Sequence, residues 1–358
     1  LSIVNFPWLV KFIWAPLVDK FWFRGLGRRK SWILPAQGGL VLALLVTGYL
    51  APSLSLYEFI ALLTVVNFFA ATQDIAVDGL AVDILGEEER GMGNAIQAAA
   101  FKVGMLGGGF GLTFVMANYS VAYCFYAMAG AVMLVMAAPF LVREHLITTE
   151  EQEGVRIFSL IREFFTRQGA LWFLLFILIS KSGDALANPL FRLFLRDERV
   201  SIGTINWIMN LGGIVATLLG SLLCGWFIAR FGRARTTMAA VMGQGVSHLL
   251  WTMIALSGIV MPVLWSIALF EHFVSGMLTV AVFTVMMDSV DRRAGGTLYT
   301  LLMCIHLGAV FILGIVSGML AQRFGFAAVY TAAGLITLTT LVLFPALSKS
   351  NYFSGHIS

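Results

Sequence analysis

The chain has 358 residues, 59% of them hydrophobic and 12% charged, with a mean hydropathy of +0.89 and a formal charge of +4. A soluble globular domain carries about 25% charged residues, so this composition excludes one and points to an all-α polytopic membrane protein. The basic pI of 9.1 does not signal nucleic acid, because the basic residues sit in short loops where they set topology, and no nucleic-acid partner is expected.

In chain order, the apolar stretches predict helices at 1–19, 31–50, 56–84, 92–117, 120–142, 170–195, 201–229, 236–258, 261–287, 294–321 and 326–347. The long polar interval 143–169 divides five helices from six. The expected domains are therefore an N-terminal bundle over 1–142, a central cytoplasmic loop over 143–169, a six-helix bundle over 170–348 and a cytoplasmic tail over 349–358. Sixteen Lys/Arg fall in alternate loops and at the C-terminus, against Arg192, Arg196, Arg199 and Arg323 on the other side. That bias makes the first set cytoplasmic and runs the first helix from outside to inside. Because the chain opens at Leu1 within an apolar stretch, one earlier helix is expected, for a full count of twelve in two sets of six. Cys124, Cys224 and Cys304 lie far apart in apolar helices and read as small packing residues, not a disulfide framework or metal site.

Internal repeats support the two halves. APLVDKFWFRGLGRRK (15–30) is echoed by GWFIARFGRAR (225–235), with Ala229 where the first copy has Asp19. Gly91, Lys102 and Gly104 lie 204 residues before Gly295, His306 and Gly308. Weak internal symmetry of this kind marks many transporter folds.

The loop 15–30 with its partial copy resembles the cytoplasmic signature of the major facilitator superfamily. KFIWAPLVDK (11–20), ATQDIAVDG (71–79) and EERGMGNAIQAAAFKVGMLGGG (88–109) resemble its branch of AmpG muropeptide permeases, acetyl-CoA transporters and ferri-siderophore permeases. GGTLYTLL (295–302) adds weaker support. The resemblance implies two six-helix bundles around a central site, working by alternating access. It also implies a cytoplasmic latch of Asp19 with Gly27, Arg28, Arg29 and Lys30, whose second copy comprises Gly225, Arg230, Gly232 and Arg233. Ala229 deprives that second copy of the acid an ion pair would use.

Charges at bilayer depth cost at least about 2.5–3.5 kcal/mol each on insertion scales, so they face a partner or a wet cavity. The charged set is Lys11, Asp74, Asp78, Lys102, Lys181, Asp184, Glu271 and Asp288, with His248, His272 and His306. Asp74 lies eleven residues before Leu85 and Lys102 eleven after Gly91, so both stand roughly 16 Å from the cytoplasmic face. Asp74 and Asp78 share a helix face, and their expected bases are Lys102 and Lys11. Asp83, near the helix end, is expected to be solvated. Two readings apply to the acids: proton coupling at Asp74, Asp78 and the Glu271–His272 pair, or static bridges that lock helices together. The bases Lys11, Lys102 and Lys181, with Asp184 and His306, are candidates for substrate binding; Lys181–Asp184 also reads as a self-cancelling pair at i, i+3. Pro189 is expected to weaken its helix and free carbonyls. His248 reads as a structural histidine. The glycines of 104–111 and 211–220 read as packing stripes.

No GxxxxGK[ST], HExxH or GxSxG occurs, so neither an ATPase, an enzyme nor a cofactor is expected. The expectation is a secondary transporter, coupled to protons, in a bacterial inner membrane and monomeric. It would import an anionic solute such as anhydro-muropeptide, with a ferri-siderophore or acetyl-CoA as alternatives. A non-transporting receptor would need neither two related halves nor mid-membrane charges in both.

Overall fold

The computed structural model describes residues 2–23, 25–142, 144, 156–348, 350 and 352. Residues 143 and 145–155 of the expected central segment and most of the expected C-terminal tail thus lie outside the described residues. Those described contain no strand. Ten helices are long and apolar enough to cross a membrane: α1 Lys30–Leu50, α2 Leu56–Ile84, α3 Arg90–Asn118, α4 Val121–Leu141, α5 Ala170–Asp197, α6 Ile202–Phe231, α7 Arg233–Ser257, α8 Met261–Ser289, α9 Arg292–Phe324 and α10 Phe326–Ser348. The first expected helix is instead broken into short pieces, Ser2–Asn5, Phe6–Val10, Lys11–Ile13 and Ala15–Lys20. Pro7 and Pro16 open two of these pieces, where a missing N–H costs nothing, and neither can continue a preceding turn.

Local chemistry sets several boundaries. Ser55 and Glu58 form a reciprocal capping box, so α2 starts at Leu56. The glycine run Gly107–Gly111 widens α3 into a π turn, and Trp207–Gly212 does the same in α6. In α5 the break falls at Lys181, not at Pro189; Ser182–Asp197 is helical through the proline. Contacts of Lys181 and Gly183 with neighbouring helices fix the backbone there, and Pro189 forfeits only one hydrogen bond. The polar interval also contains an amphipathic helix, Ile157–Thr166, whose Ile157, Leu160 and Phe164 are buried on one face.

The chain divides into two compact units. The first comprises Leu1–Leu85, Gly104–Glu163 and Val290–Cys304. Its core packs α1, α2 and α4 through Leu40, Leu44, Val66, Phe125 and Ala129. The second comprises Gly86–Val103, Phe164–Ser289 and Ile305–Ser358. Its core centres on Phe191 stacked on Trp251, ring centroids 4.3 Å apart, with Tyr330 beside them. The first pair of the 204-residue echo, Gly91 and Gly295, falls in the two short segments 86–103 and 290–304, each of which joins the unit otherwise built from the far part of the chain.

The two glycine stretches part company. In 211–220 a Cβ on Gly220 would fall on the carbonyl oxygen of Phe273 in α8, and one on Gly213 would strike the His272 ring. In 104–111 no described atom lies within 4 Å of the Cβ positions of Gly104, Gly107, Gly108, Gly109 or Gly111, so these are not a packing stripe there. Gly220→Val should therefore cost about 1–3 kcal/mol of stability through overpacking. Gly104→Ala should be neutral or stabilise by up to about 1 kcal/mol. Cys124, Cys224 and Cys304 are buried and free, so their reaction with a thiol-reactive dye during heating in detergent reads out both variants.

Candidate functional site

In the first unit the signature loop folds around Asp19, which is 1% exposed. One of its oxygens accepts from Arg28 Nη2 at 2.9 Å and Arg29 Nη1 at 2.6 Å. The other accepts from the backbone N–H of Thr297 at 2.6 Å, in the first turns of α9, where a helix N-terminus favours an anion. Arg28 Nη2 also donates to the carbonyl of Arg293 at 2.6 Å. Asp83 corrects the expectation of a solvated carboxylate: it accepts from Arg29 Nε at 2.6 Å and Nη2 at 3.3 Å. Burial works against the Arg29 charge, but Asp19 and then Asp83 outweigh it and hold the guanidinium above its ordinary pKa. Gly27 adopts φ +95°, and Glu144 accepts from the backbone N–H groups of Arg29 and Lys30, capping α1. Lys30 Nζ donates to the carbonyl of Val142 at 2.6 Å.

Deeper in the same unit, Lys11 forms an ion pair with Asp74. The lysine side chain is 1% exposed and the aspartate 31%. Trp8 and Trp14 donate to Asn67 and Thr72 of α2, both N-terminal to Asp74. Asp78 is buried, and its charge acts on Lys11. The base on Asp74 is thus Lys11. Lys102 belongs to the second unit and has no ion pair or side-chain hydrogen bond among the described residues; the equal depths that suggested pairing it with Asp74 fix position along the membrane normal only.

The second unit carries its own clamp. Arg233 pairs with Asp288 and donates to the carbonyl of Glu87, and Arg90 Nη1 meets Asp288 at 3.0 Å. Asp288, from α8, supplies the acid that Ala229 lacks. Gly232 takes φ +82°, matching Gly27. A Cβ on Gly225 would lie 2.9 Å from that of Ala95. Arg230 is exposed.

Within the spans of this unit, α5, α7 and α8 enclose a polar cluster. Lys181 Nζ donates to Asp184 Oδ2 at 2.7 Å and Ser275 Oγ at 3.1 Å, so the pair also ties α5 to α8. Gln244 Nε2 lies 3.4 Å from Asp184 Oδ1, 3.0 Å from His248 Nε2 and 3.3 Å from Glu271 Oε1. Gln244, His248 and Glu271 are each 0% exposed. Glu271 Oε2 stands 3.3 Å from His272 Nδ1 without a hydrogen bond. His306 is buried elsewhere in the unit, 3.3 Å from the carbonyl of Ile177. Gln244, His248 and Ser275 escaped the sequence reading as site residues. Their signal was the stripe Gln244, Ser247, His248, Trp251 on one face of α7, all fully buried. Asp184, His248 and Glu271 offer donor atoms within 4.8 Å of one another, a spacing that suits a metal. The Gln244 amide occupies the space among them and Lys181 already holds Asp184, so the group fits a hydrogen-bond hub better.

Ten apolar spans that bury paired charges define a multi-pass integral membrane protein. Residues 3–182, half of the chain, match the family model of the Major Facilitator Superfamily. The chain belongs to that superfamily and is a transporter rather than an enzyme. It is 28% identical to the anhydromuropeptide permease of Escherichia coli over 348 residues, 96% of this chain and 70% of the relative. Its fold is similar to that of the proton:xylose symporter XylE, with TM-score 0.74 at 11% identity over 97% of this chain and 84% of that one. The transporter FucP in its outward conformation gives TM-score 0.74 at 13% identity over 96% and 89%.

The Lys11–Asp74 pair is asymmetric, and its mutants should be too. Asp74→Asn leaves the buried lysine without its ion-pair partner and should cost about 3–5 kcal/mol. Lys11→Met leaves a carboxylate that reaches solvent and should cost less, while the double variant should recover most of the Asp74→Asn loss. Thermal unfolding of the four proteins in detergent closes this cycle.

Proposed function

We propose that this transporter imports an anionic solute of the anhydro-muropeptide class across a bacterial inner membrane, driven by the inward proton gradient. The observation that carries the substrate class is the 28% identity to the anhydromuropeptide permease across 96% of the chain. Lys102 and Lys181 on the spans, with Lys11 in the broken segment before them, suit a carboxylate-bearing solute. Proton coupling is supported by two acids of different kind. Asp74 is bound to a buried base and reaches solvent. Glu271 is fully buried with no lysine or arginine partner among the described residues, so it can take and release a proton without breaking an ion pair. Asp78 and His272 stand next to these two acids. The Asp19 and Asp288 clamps act as latches at the basic ends of the helices, which we read as cytoplasmic. The protein works by alternating access as a monomer with halves 1–142 and 170–348, and its C-terminus lies in the cytoplasm.

Uptake of labelled anhydro-muropeptide into vesicles carrying the protein, under an imposed inward proton gradient, tests this, with a ferri-siderophore as the parallel solute. Gradient-driven muropeptide uptake is expected, abolished in Glu271→Gln. If Asp74 couples protons, the stable Lys11→Met/Asp74→Asn double variant loses gradient drive; if it only locks helices, the double variant transports normally. Siderophore uptake alone would move the substrate class.

A further inference from the structure

The hub in the second unit cannot satisfy every polar atom around Gln244 in one setting. The side-chain nitrogen of Gln244 carries two hydrogens, and three groups lie within 3.4 Å of it: the carboxylate oxygens Asp184 Oδ1 and Glu271 Oε1, and His248 Nε2, which accepts in one tautomer and opposes it as a second donor in the other. The deficit is not met elsewhere. Gln244 Oε1, Glu271 Oε2 and His248 Nδ1 are all buried without a hydrogen-bond partner, where an unmade bond costs about 1–3 kcal/mol. Asp184 is already served, since its second oxygen accepts from Lys181 at 2.7 Å and from Ser275 Oγ at 3.2 Å. Lys181 thereby keeps Asp184 as a fixed anion. Glu271 lacks any such cation. The groups facing it are Asp184 and Lys181 from α5, Gln244 and His248 from α7, His272 beside it on α8, and Lys102 from α3.

We infer that this hub is a single-proton site on Glu271, and that Gln244 is its positioning residue, turning its amide between two settings. With Glu271 ionised, the amide presents N–H to the carboxylate. When a proton arrives from solvent, Glu271 becomes an O–H donor and the amide turns its oxygen to accept it. The same heavy-atom positions serve both settings, because amide nitrogen and oxygen are nearly isosteric. His248 supports the second one: its Nδ1 has no acceptor, so its hydrogen is better placed on Nε2, 3.0 Å from the turned amide oxygen. The release step returns the same proton to solvent, so nothing is oxidised or reduced. The inference deepens the proton-coupling reading above and rests on it for its role in transport, but the proton site itself is measurable without substrate.

The test is infrared difference spectroscopy of the purified protein titrated between about pH 5 and 8. A carboxylic acid band that titrates in the wild type and disappears in Glu271→Gln is expected. In Gln244→Met, which keeps the side-chain length but removes the amide, the band should shift in frequency. The carboxylate also loses its donor there, so the proton should bind about tenfold more tightly. Gln244→Asn, a shortened amide that keeps the donor, should fall between the two, and size-exclusion profiles check that every variant is folded. A band lost in Glu271→Gln but unmoved in Gln244→Met overturns the role of Gln244. No titrating band assigned to Glu271, while uptake remains proton-driven, overturns the site and leaves proton coupling intact. A titrating Glu271 in a protein whose uptake ignores the gradient sustains the site and overturns the coupling. Loss of the acid band on adding zinc or manganese at micromolar concentration overturns the proton site in favour of a metal.

Discussion

Asp19 accepts from two guanidinium groups and the N-terminus of α9 while almost wholly buried. A buried charge stripped of its partner costs about 3–5 kcal/mol, so none of these groups can move alone. The surrounding sequence is shaped to let them meet. A Cβ on Gly79 would stand 2.6 Å from the Arg29 guanidinium, and one on Gly296 would stand 2.9 Å from Arg29 Nη1 and 3.0 Å from Asp19 Oδ1. Asp83 takes the remaining face of Arg29, and Glu144 caps the helix that follows. The loop 20–30, read as a topogenic run of positive charge and a latch, is equally a structural joint, in which Arg28, Arg29 and Lys30 all bond within the unit.

The same requirement, that charge in a hydrocarbon slab find a counter-charge or a hydrogen bond, orders the second unit. There Asp288 replaces the missing acid of the signature copy, although it comes from a different helix. The outcome, a carboxylate joining two arginines beside a left-handed glycine, is kept while the residue that supplies it changes. Each clamp draws on a short segment, 290–304 or 86–103, that belongs to its unit despite arising from the far part of the chain. The Gly91–Gly295 pair of the echo therefore corresponds to a physical equivalence.

Helix existence and class were legible because length and hydropathy alone impose them, and the expected span 56–84 coincides with α2, whose start the structure shows fixed by a capping box. The acids and bases were legible as a set, because charge is conspicuous against apolar sequence. Their pairing was not. Equal depth suggested Asp74 with Lys102, but depth leaves the direction around the helix axis open, and Lys11 held that direction. Asp83 was misjudged because distance from a helix end says nothing of what folds over it. Gln244 was missed since a neutral amide raises no alarm in a hydropathy scan, though its spacing with Ser247, His248 and Trp251 marks one buried face. The helix Ile157–Thr166 was hidden by averaging over a polar interval, where a pattern of i, i+3, i+7 was the proper signal.

The broken opening segment has a consequence for biogenesis. Its helical pieces, of three to six residues, are each too short to span a bilayer, and Lys11 within it is neutralised by a carboxylate 63 residues downstream. A chain made from its N-terminus presents the lysine to the insertion machinery before Asp74 exists. Stable residence of the segment in lipid must therefore await α2, with Trp8, Lys11 and Trp14 docking together onto Asn67, Asp74 and Thr72. The segment 2–20 is therefore committed to the membrane only after α2 has followed it, and that order of assembly is written into the separation of two charges.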